Sequence, residues 1–257
     1  MLDTKLETIK NKYLNFQEDE ELIESIHDPH LFKAVILAGS PGAGKSYVVK
    51  NTFPRIPIVN SDDIFEYFLE KNNLSKIIDS NAPDYEKKME LRNSAKKLTA
   101  KRESLWINGM LPIIIDGTGK DDNRIKGVKE WLEFIGYDVY MVLVDVSLET
   151  AKRRNKERER SVDEKTILIP TWEAIQMHKK KGTYEQVFGE DFFIVPNDDD
   201  SKVPEAFFNK LFQKTIASPL KNPNGQNILQ KLKEIGGKYL IDLDIEKLKD
   251  TLDSPRY

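Results

Sequence analysis

Eight residues constrain this chain more than any others: Gly39-Ser40-Pro41-Gly42-Ala43-Gly44-Lys45-Ser46, which fit G-x-x-x-x-G-K-[ST]. An apolar, strand-like stretch, Ala34–Ala38, precedes them, and Tyr47-Val48-Val49-Lys50, which can open a helix, follows. The glycines let backbone N–H groups turn inward around an anion, and the helix N-terminus behind them adds its positive dipole end. In such a loop Lys45 reaches the β- and γ-phosphates and the Ser46 hydroxyl holds Mg²⁺. The alternative is a glycine-rich turn before a helix, with Lys45 solvated; the strand before the motif counts against it.

The 257 residues suffice for one large α/β domain with additions, or for two small domains. Cysteine is absent, so the chain has neither disulfides nor thiolate metal sites. Met1–Lys12 has no apolar centre and carries acids, unlike a signal peptide, and no apolar run approaches a membrane span. A cytoplasmic setting, bacterial or in a phage-infected host, is the expectation. The formal net charge is only −3, which argues against a generic polyanion binder. Charge is uneven, however: Tyr85–Lys181 holds 21 Lys+Arg against 16 Asp+Glu, a local excess of 5 that suits a phosphorylated substrate or ordinary solvated helix faces.

Strand-like runs fall at Ala34–Ala38, Ile56–Asn60, Leu111–Ile115, Val139–Val144 and Phe192–Val195. Most are nearly continuous apolar runs, as in a parallel sheet covered on both faces. Amphipathic segments at Ile64–Lys71, Tyr85–Ile107, Ile125–Ile135, Leu148–Arg158 and Trp172–His178 alternate with them, which predicts a doubly wound α/β domain over residues 31–200. Residues 1–30 read as a helical N-terminal addition. Residues 201–257 read as a helical C-terminal unit, with a helix near Pro204–Lys214, a linker at Ser218–Gly225, and Ile228, Leu229, Leu232 and Ile235 sharing a later helix face.

In doubly wound sheets the ligand lies beyond the carboxyl ends of the strands. The residues following the first four runs are the phosphate loop, Asn60-Ser61-Asp62-Asp63, Asp116-Gly117-Thr118-Gly119 and Asp145-Val146-Ser147. Asp62 or Asp63 is a candidate general base for an attacking hydroxyl, and Ser61-Asp62-Asp63 equally suits a helix cap. Asp116 is a candidate Mg²⁺ ligand through water, or an acceptor contact; a capping Asp in a tight turn is the plainer alternative. Arg154 and Arg158, four apart in a basic run that continues to Arg160, can clamp a transferring phosphoryl group, or form a solvated helix laced with ion pairs. Lys88, Arg92 and Lys96 share one face of the long helix, which either lines the acceptor site, with Arg92 a candidate contact, or is a solvated face.

In order and spacing, the phosphate loop, Asn60-Ser61-Asp62-Asp63, Ile115-Asp116-Gly117-Thr118-Gly119 and Glu149-x-Ala151-x-x-Arg154-Asn155-x-x-Arg158 resemble the zeta-toxin-like P-loop kinases. They also resemble the kinase domain of phage polynucleotide kinase. The resemblance covers roughly residues 33–196. It implies ATP as donor, Mg²⁺ as cofactor, Asp62 as the base, Arg154 and Arg158 as lid arginines, and Thr118 as a substrate contact. The acid before Gly-Thr-Gly, usually glutamate in zeta toxins, is Asp116 here.

The sequence therefore predicts a five-stranded parallel sheet in the order 2-3-1-4-5, of P-loop kinase type. It predicts an ATP- and Mg²⁺-dependent kinase acting on a hydroxyl of a nucleotide-type or sugar-nucleotide small molecule. The loop residues Gly39 to Ser46 hold the nucleotide, Ser46 and Asp116 the metal, Asp63, Asp116, Thr118 and Arg92 the acceptor, and Lys45, Asp62, Arg154 and Arg158 carry the transfer. The first alternative is a kinase acting on a nucleic-acid hydroxyl, at a polynucleotide end or a hydroxymethylated base. The second is a non-catalytic nucleotide-binding module, possessing the loop without needing Asp62.

Overall fold

The computed structural model describes residues 30–78, 82–158, 161–199 and 203–234. The helices expected in residues 1–29, Arg160, and the tail from Ile235 onward lie outside the described residues.

Five strands, β1 (Lys33–Ala38), β2 (Ile58–Val59), β3 (Ile113–Asp116), β4 (Asp138–Asp145) and β5 (Phe192–Pro196), form one sheet in the order β2-β3-β1-β4-β5. Every neighbouring pair is parallel. This is the expected order, with β1 at the centre. The edge strand β2 is shorter than the Ile56–Asn60 run, because Asn60 leaves the sheet to cap the next helix.

Both faces of the sheet are covered. On β1 and β4, Ala34, Ile36, Ala38, Val139, Met141 and Leu143 enter one core, and Val35, Leu37, Tyr140, Val142 and Val144 enter the other. That two-residue alternation with both sides apolar is what reads in sequence as an unbroken hydrophobic run. The first core is closed by α3 (Tyr85–Asn108), α4 (Asp122–Phe134), α7 (Thr183–Phe188) and α9 (Pro223–Glu234). The second is closed by α1 (Lys45–Thr52), α5 (Leu148–Lys156) and α8 (Glu205–Lys214). Helix α6 (Ile169–Lys181) contributes to both, and α2 (Ser61–Lys71) packs on α3 in a third cluster around Phe65, Leu69 and Ala95.

Two lysines are buried. Lys33, just before the apolar run of β1, is wholly buried, 2.6 Å from Asp138, with its ammonium also donating to Ser218 Oγ and the Pro219 carbonyl. Asp138 in turn accepts from the backbone N–H groups of Lys221 and Asn222. The Ser218–Gly225 stretch, which reads as a linker, is thereby clamped to the sheet, and it leads into α9, whose Leu232 is buried in the first core. The second is Lys88 of α3. It is buried, donates to Ser75 Oγ and the Ile77 carbonyl, and pairs with Asp84 at 2.9 Å. It ties down the α2–α3 connection and does not share a solvated face with Arg92 and Lys96.

Candidate active site

The carboxyl ends of β1, β3, β4 and β5 meet at the phosphate loop. The loop is stitched to its neighbour: Gly39 N donates to the Thr118 carbonyl at 3.1 Å, and Gly117 N donates to the Leu37 carbonyl at 2.9 Å. Gly42 and Gly44 both have left-handed backbone, φ 81 and 86, as inward-turned N–H groups require. A Cβ on Gly42 would stand 2.3 Å from the carbonyl oxygen of Ala151 in α5. A Cβ on Gly44 would stand 2.3 Å from Asn197 Nδ2 and 3.5 Å from Arg154 Nη1. The basic helix thus lies directly on the loop, and only glycine permits that approach. Gly44 caps α1 without a side-chain hydrogen bond, so the helix start faces the loop as an anion site.

Lys45 Nζ donates to the Gly39 carbonyl at 3.0 Å and lies 3.8 Å from Asp116 Oδ1. Asp116 Oδ2 accepts from Asn60 Nδ2 at 3.1 Å. Oδ1 is buried and has no hydrogen-bond partner among the described residues. Burial pushes the Asp116 carboxyl above its usual range; Lys45 opposes the shift, Asp62 adds to it, and Arg158 and the nearby Gly117 N–H, itself committed to the Leu37 carbonyl, oppose it. Asp62 and Arg158, remote in sequence, therefore act on the same carboxylate.

Asn60 occupies the N-cap of α2, its side-chain oxygen accepting from Asp62 N at 2.8 Å. Sequence reading left capping and base work open between Asp62 and Asp63; the side-chain cap is Asn60, with Asp62 and Asp63 both in the first turn. Both aspartates are exposed, as is Ser46 at the start of α1.

On the opposite wall, α5 presents its arginines. Arg154 Nη2 donates to Asp199 Oδ1 at 2.9 Å, and Arg153 donates to the other oxygen of the same carboxylate and to Glu157. These bonds hold the Asp199 carboxyl below its usual range. Arg158 lies just past the helix end and is exposed. Asn155, between the arginines, brackets the segment that follows them, donating to the Val162 carbonyl at 2.9 Å and accepting from Val162 N at 3.1 Å.

The turn after β5 belongs to the site although sequence reading did not include it. Three consecutive residues each reach a different part. Asn197 Nδ2 donates to the Ala43 carbonyl of the phosphate loop at 2.7 Å, Asp198 accepts from Ser147 N and Oγ at the start of α5, and Asp199 holds Arg153 and Arg154. The rule that ligands lie beyond strand carboxyl ends would have found them had it been applied to the fifth run as to the first four.

Thr118 is half-buried in the loop beside Gly39, with its hydroxyl accepting from Lys120 N at 3.5 Å. That loop is held from behind by α6 and α7. Tyr184 donates to the Gly119 carbonyl at 2.8 Å, and His178 Nε2 lies 3.1 Å from the Lys120 carbonyl. Arg92 is half-buried on α3; among the described residues no hydrogen bond or ion pair ties it to the cleft.

For Mg²⁺, the cleft offers Ser46 Oγ and the buried, unsatisfied Asp116 Oδ1, both hard oxygen donors of the kind this ion takes. Among the described residues no group of three His, Asp or Glu side chains could cage a metal. The two oxygen donors fit a nucleotide bound with Mg²⁺. Among the described residues no helix is long and apolar enough to cross a membrane.

The AAA domain family matches residues 35–177, more than half of the chain. No curated protein matches the sequence. Among solved structures, a Chloroflexus aurantiacus protein assigned as a kinase is 10% identical, with 79% of this chain and 97% of that one covered and a TM-score of 0.46. A structure from the PezAT chromosomal toxin–antitoxin system of Streptococcus pneumoniae is 18% identical, with 92% and 97% covered and a TM-score of 0.45. A gluconokinase from Sinorhizobium meliloti is 14% identical, with 80% and 98% covered and a TM-score of 0.36. At these scores it is the family match, spanning the phosphate loop, the Asp116 loop and α5, that places the chain.

Proposed function

The chain belongs to the AAA domain family, and from that premise we propose that it is an ATP- and Mg²⁺-dependent kinase that transfers the γ-phosphate to a hydroxyl of a nucleotide-type or sugar-nucleotide small molecule. One observation carries the reading. The phosphate loop has Asp116 3.8 Å from its Lys45 and Arg154 of α5 against its Gly44, with Asp62 and Arg158 both close enough to act on the Asp116 carboxylate, a gathering of acid and base suited to phosphoryl transfer.

Phosphoryl transfer leaves the protein little covalent chemistry, so positioning and charge stabilisation dominate. Loop N–H groups and Lys45 hold the triphosphate, with Lys45 exchanging its bond to the Gly39 carbonyl for phosphate oxygens. Mg²⁺, held by Ser46 and Asp116, would neutralise charge on the β- and γ-phosphates. Asp62 orients the acceptor hydroxyl and takes its proton. Arg154 and Arg158 meet the charge that develops on the equatorial oxygens. Asp63, Thr118 and Arg92 are the acceptor contacts, and the Gly117–Gly119 backbone allows the close approach.

Incubation with γ-labelled ATP against nucleosides, nucleotides, sugar nucleotides and DNA oligomers tests the reading. Label is expected on a small hydroxyl acceptor. Label on DNA alone, with binding that weakens steeply as salt rises, would move the acceptor to nucleic acid. ATP binding with no transfer to any acceptor would leave a nucleotide-binding module.

A further inference from the structure

The Asn60 side chain makes two hydrogen bonds in opposite directions. Its oxygen accepts from Asp62 N, capping α2, and its nitrogen donates to Asp116 Oδ2. The first bond removes the ambiguity of the amide. A backbone N–H can only donate, so the end facing Asp62 is the oxygen and the end facing Asp116 the NH₂ group. One short side chain thus joins the turn that carries Asp62 to the carboxylate at the end of β3.

A carboxylate free to turn about its last torsion presents either oxygen. Here Oδ2 is taken by Asn60, and Oδ1 is the one left without a partner, 3.8 Å from Lys45 Nζ. We propose that Asn60 is a positioning residue: it orients Asp116 so that Oδ1 faces the nucleotide's Mg²⁺, and it sets Asp62 at a constant distance from that oxygen. The proposal rests on the nucleotide reading above and adds a residue to which that reading gives no role. Partners of this kind, one shell out from the metal, orient its ligands, and their loss typically lowers metal affinity or activity ~10–100-fold.

The two bonds can be separated. Asn60→Ser keeps an oxygen able to cap α2 but has no amide to reach Asp116. Asn60→Ala removes both bonds. Asn60→Asp keeps the cap and puts a second carboxylate against Asp116. The measurement is the affinity for ATP by calorimetry with and without Mg²⁺, alongside thermal melting of each variant.

In Asn60→Ser the melting temperature is expected to stay near the wild-type value, while the Mg²⁺-dependent gain in ATP affinity falls ~10-fold or more. Asn60→Asp should lose at least as much of the gain. Asn60→Ala should lose the gain and also melt lower. A full Mg²⁺-dependent gain in Asn60→Ser would reduce Asn60 to a helix cap and overturn the proposal, as would a wild-type chain whose ATP affinity ignores Mg²⁺. If the gain falls as expected and no acceptor is ever labelled, the role of Asn60 stands and the kinase reading alone fails.

Discussion

Lys45 and Asp116 face each other across 3.8 Å at the floor of the cleft, too far for a hydrogen bond and close enough to share an electrostatic field. Lys45 spends its hydrogen bond on its own loop, at the Gly39 carbonyl, where bound phosphate would replace it. Lys45→Ala should therefore weaken ATP binding and lower turnover by ~10²–10³-fold or more, the scale of losing one charge-stabilising donor. The fold should survive, because Lys45 packs in no apolar core. Circular dichroism and labelled-ATP transfer on the same preparation check this; wild-type turnover in the variant would end the kinase reading.

Asp116 gives a pH dependence with a definite sign. Burial raises its carboxyl above the usual 3.8 in the folded chain. Between 3.8 and the raised value the folded state binds more protons than the unfolded one, so stability falls as pH rises through that window. Above it, the ionised carboxylate costs stability throughout. Asp116→Asn keeps the shape and removes the charge. It should melt no lower than wild type at neutral pH, show a smaller decline across the window, and lose the Mg²⁺-dependent part of ATP binding. A clear fall in neutral-pH melting temperature would mean that the attraction of Lys45 outweighs burial.

The arginines should separate by their partners. Arg154→Ala and Arg158→Ala should each lower turnover ~10³-fold or more if they meet the transition state, with smaller effects on substrate affinity. Arg154 uses Nη2 on Asp199, an exposed contact of the kind that contributes little, while its Nη1 lies against Gly44 of the loop. Asp199→Asn should thus leave melting and turnover within a few-fold of wild type. Variants at 154 and 158 that raise only the Michaelis constant would assign these arginines to ground-state binding.

What the sequence could show follows from the range of the forces involved. Apolar runs and their alternation are local, so the five strands were legible, and their order followed from the crossover rule applied to the P-loop kinase layout that the motifs resemble. Glycines at Gly42 and Gly44 were legible as a loop, but their tight approach to Ala151 and Asn197 depends on β4 and β5 lying side by side, which spacing alone does not reveal. Lys33 and Lys88 look solvated in any local window. Their burial needs Asp138 and Ser218 in one case and the α2–α3 connection in the other. Asn60 was visible in its motif, but its role depends on the β2–β3 register, which brings it to Asp116 from 56 residues away.

Asp62 and Asp63 sit in the same turn of α2, both exposed, and Asn60 caps that turn for both. Changing either to Asn removes one negative charge from a helix start, a loss of ~0.3–1 kcal/mol that should be alike at the two positions. The pair is therefore its own control. Asp62→Asn cannot accept a proton and should lose ~10²–10⁴-fold in turnover, the usual share of a general base. Asp63→Asn should keep turnover and change chiefly the Michaelis constant for the acceptor, as a binding contact would. Parallel melting curves remove stability from the comparison. Loss of turnover at 63 with 62 active would move the base by one residue, and full activity in both would leave positioning and charge stabilisation to carry the transfer without a base.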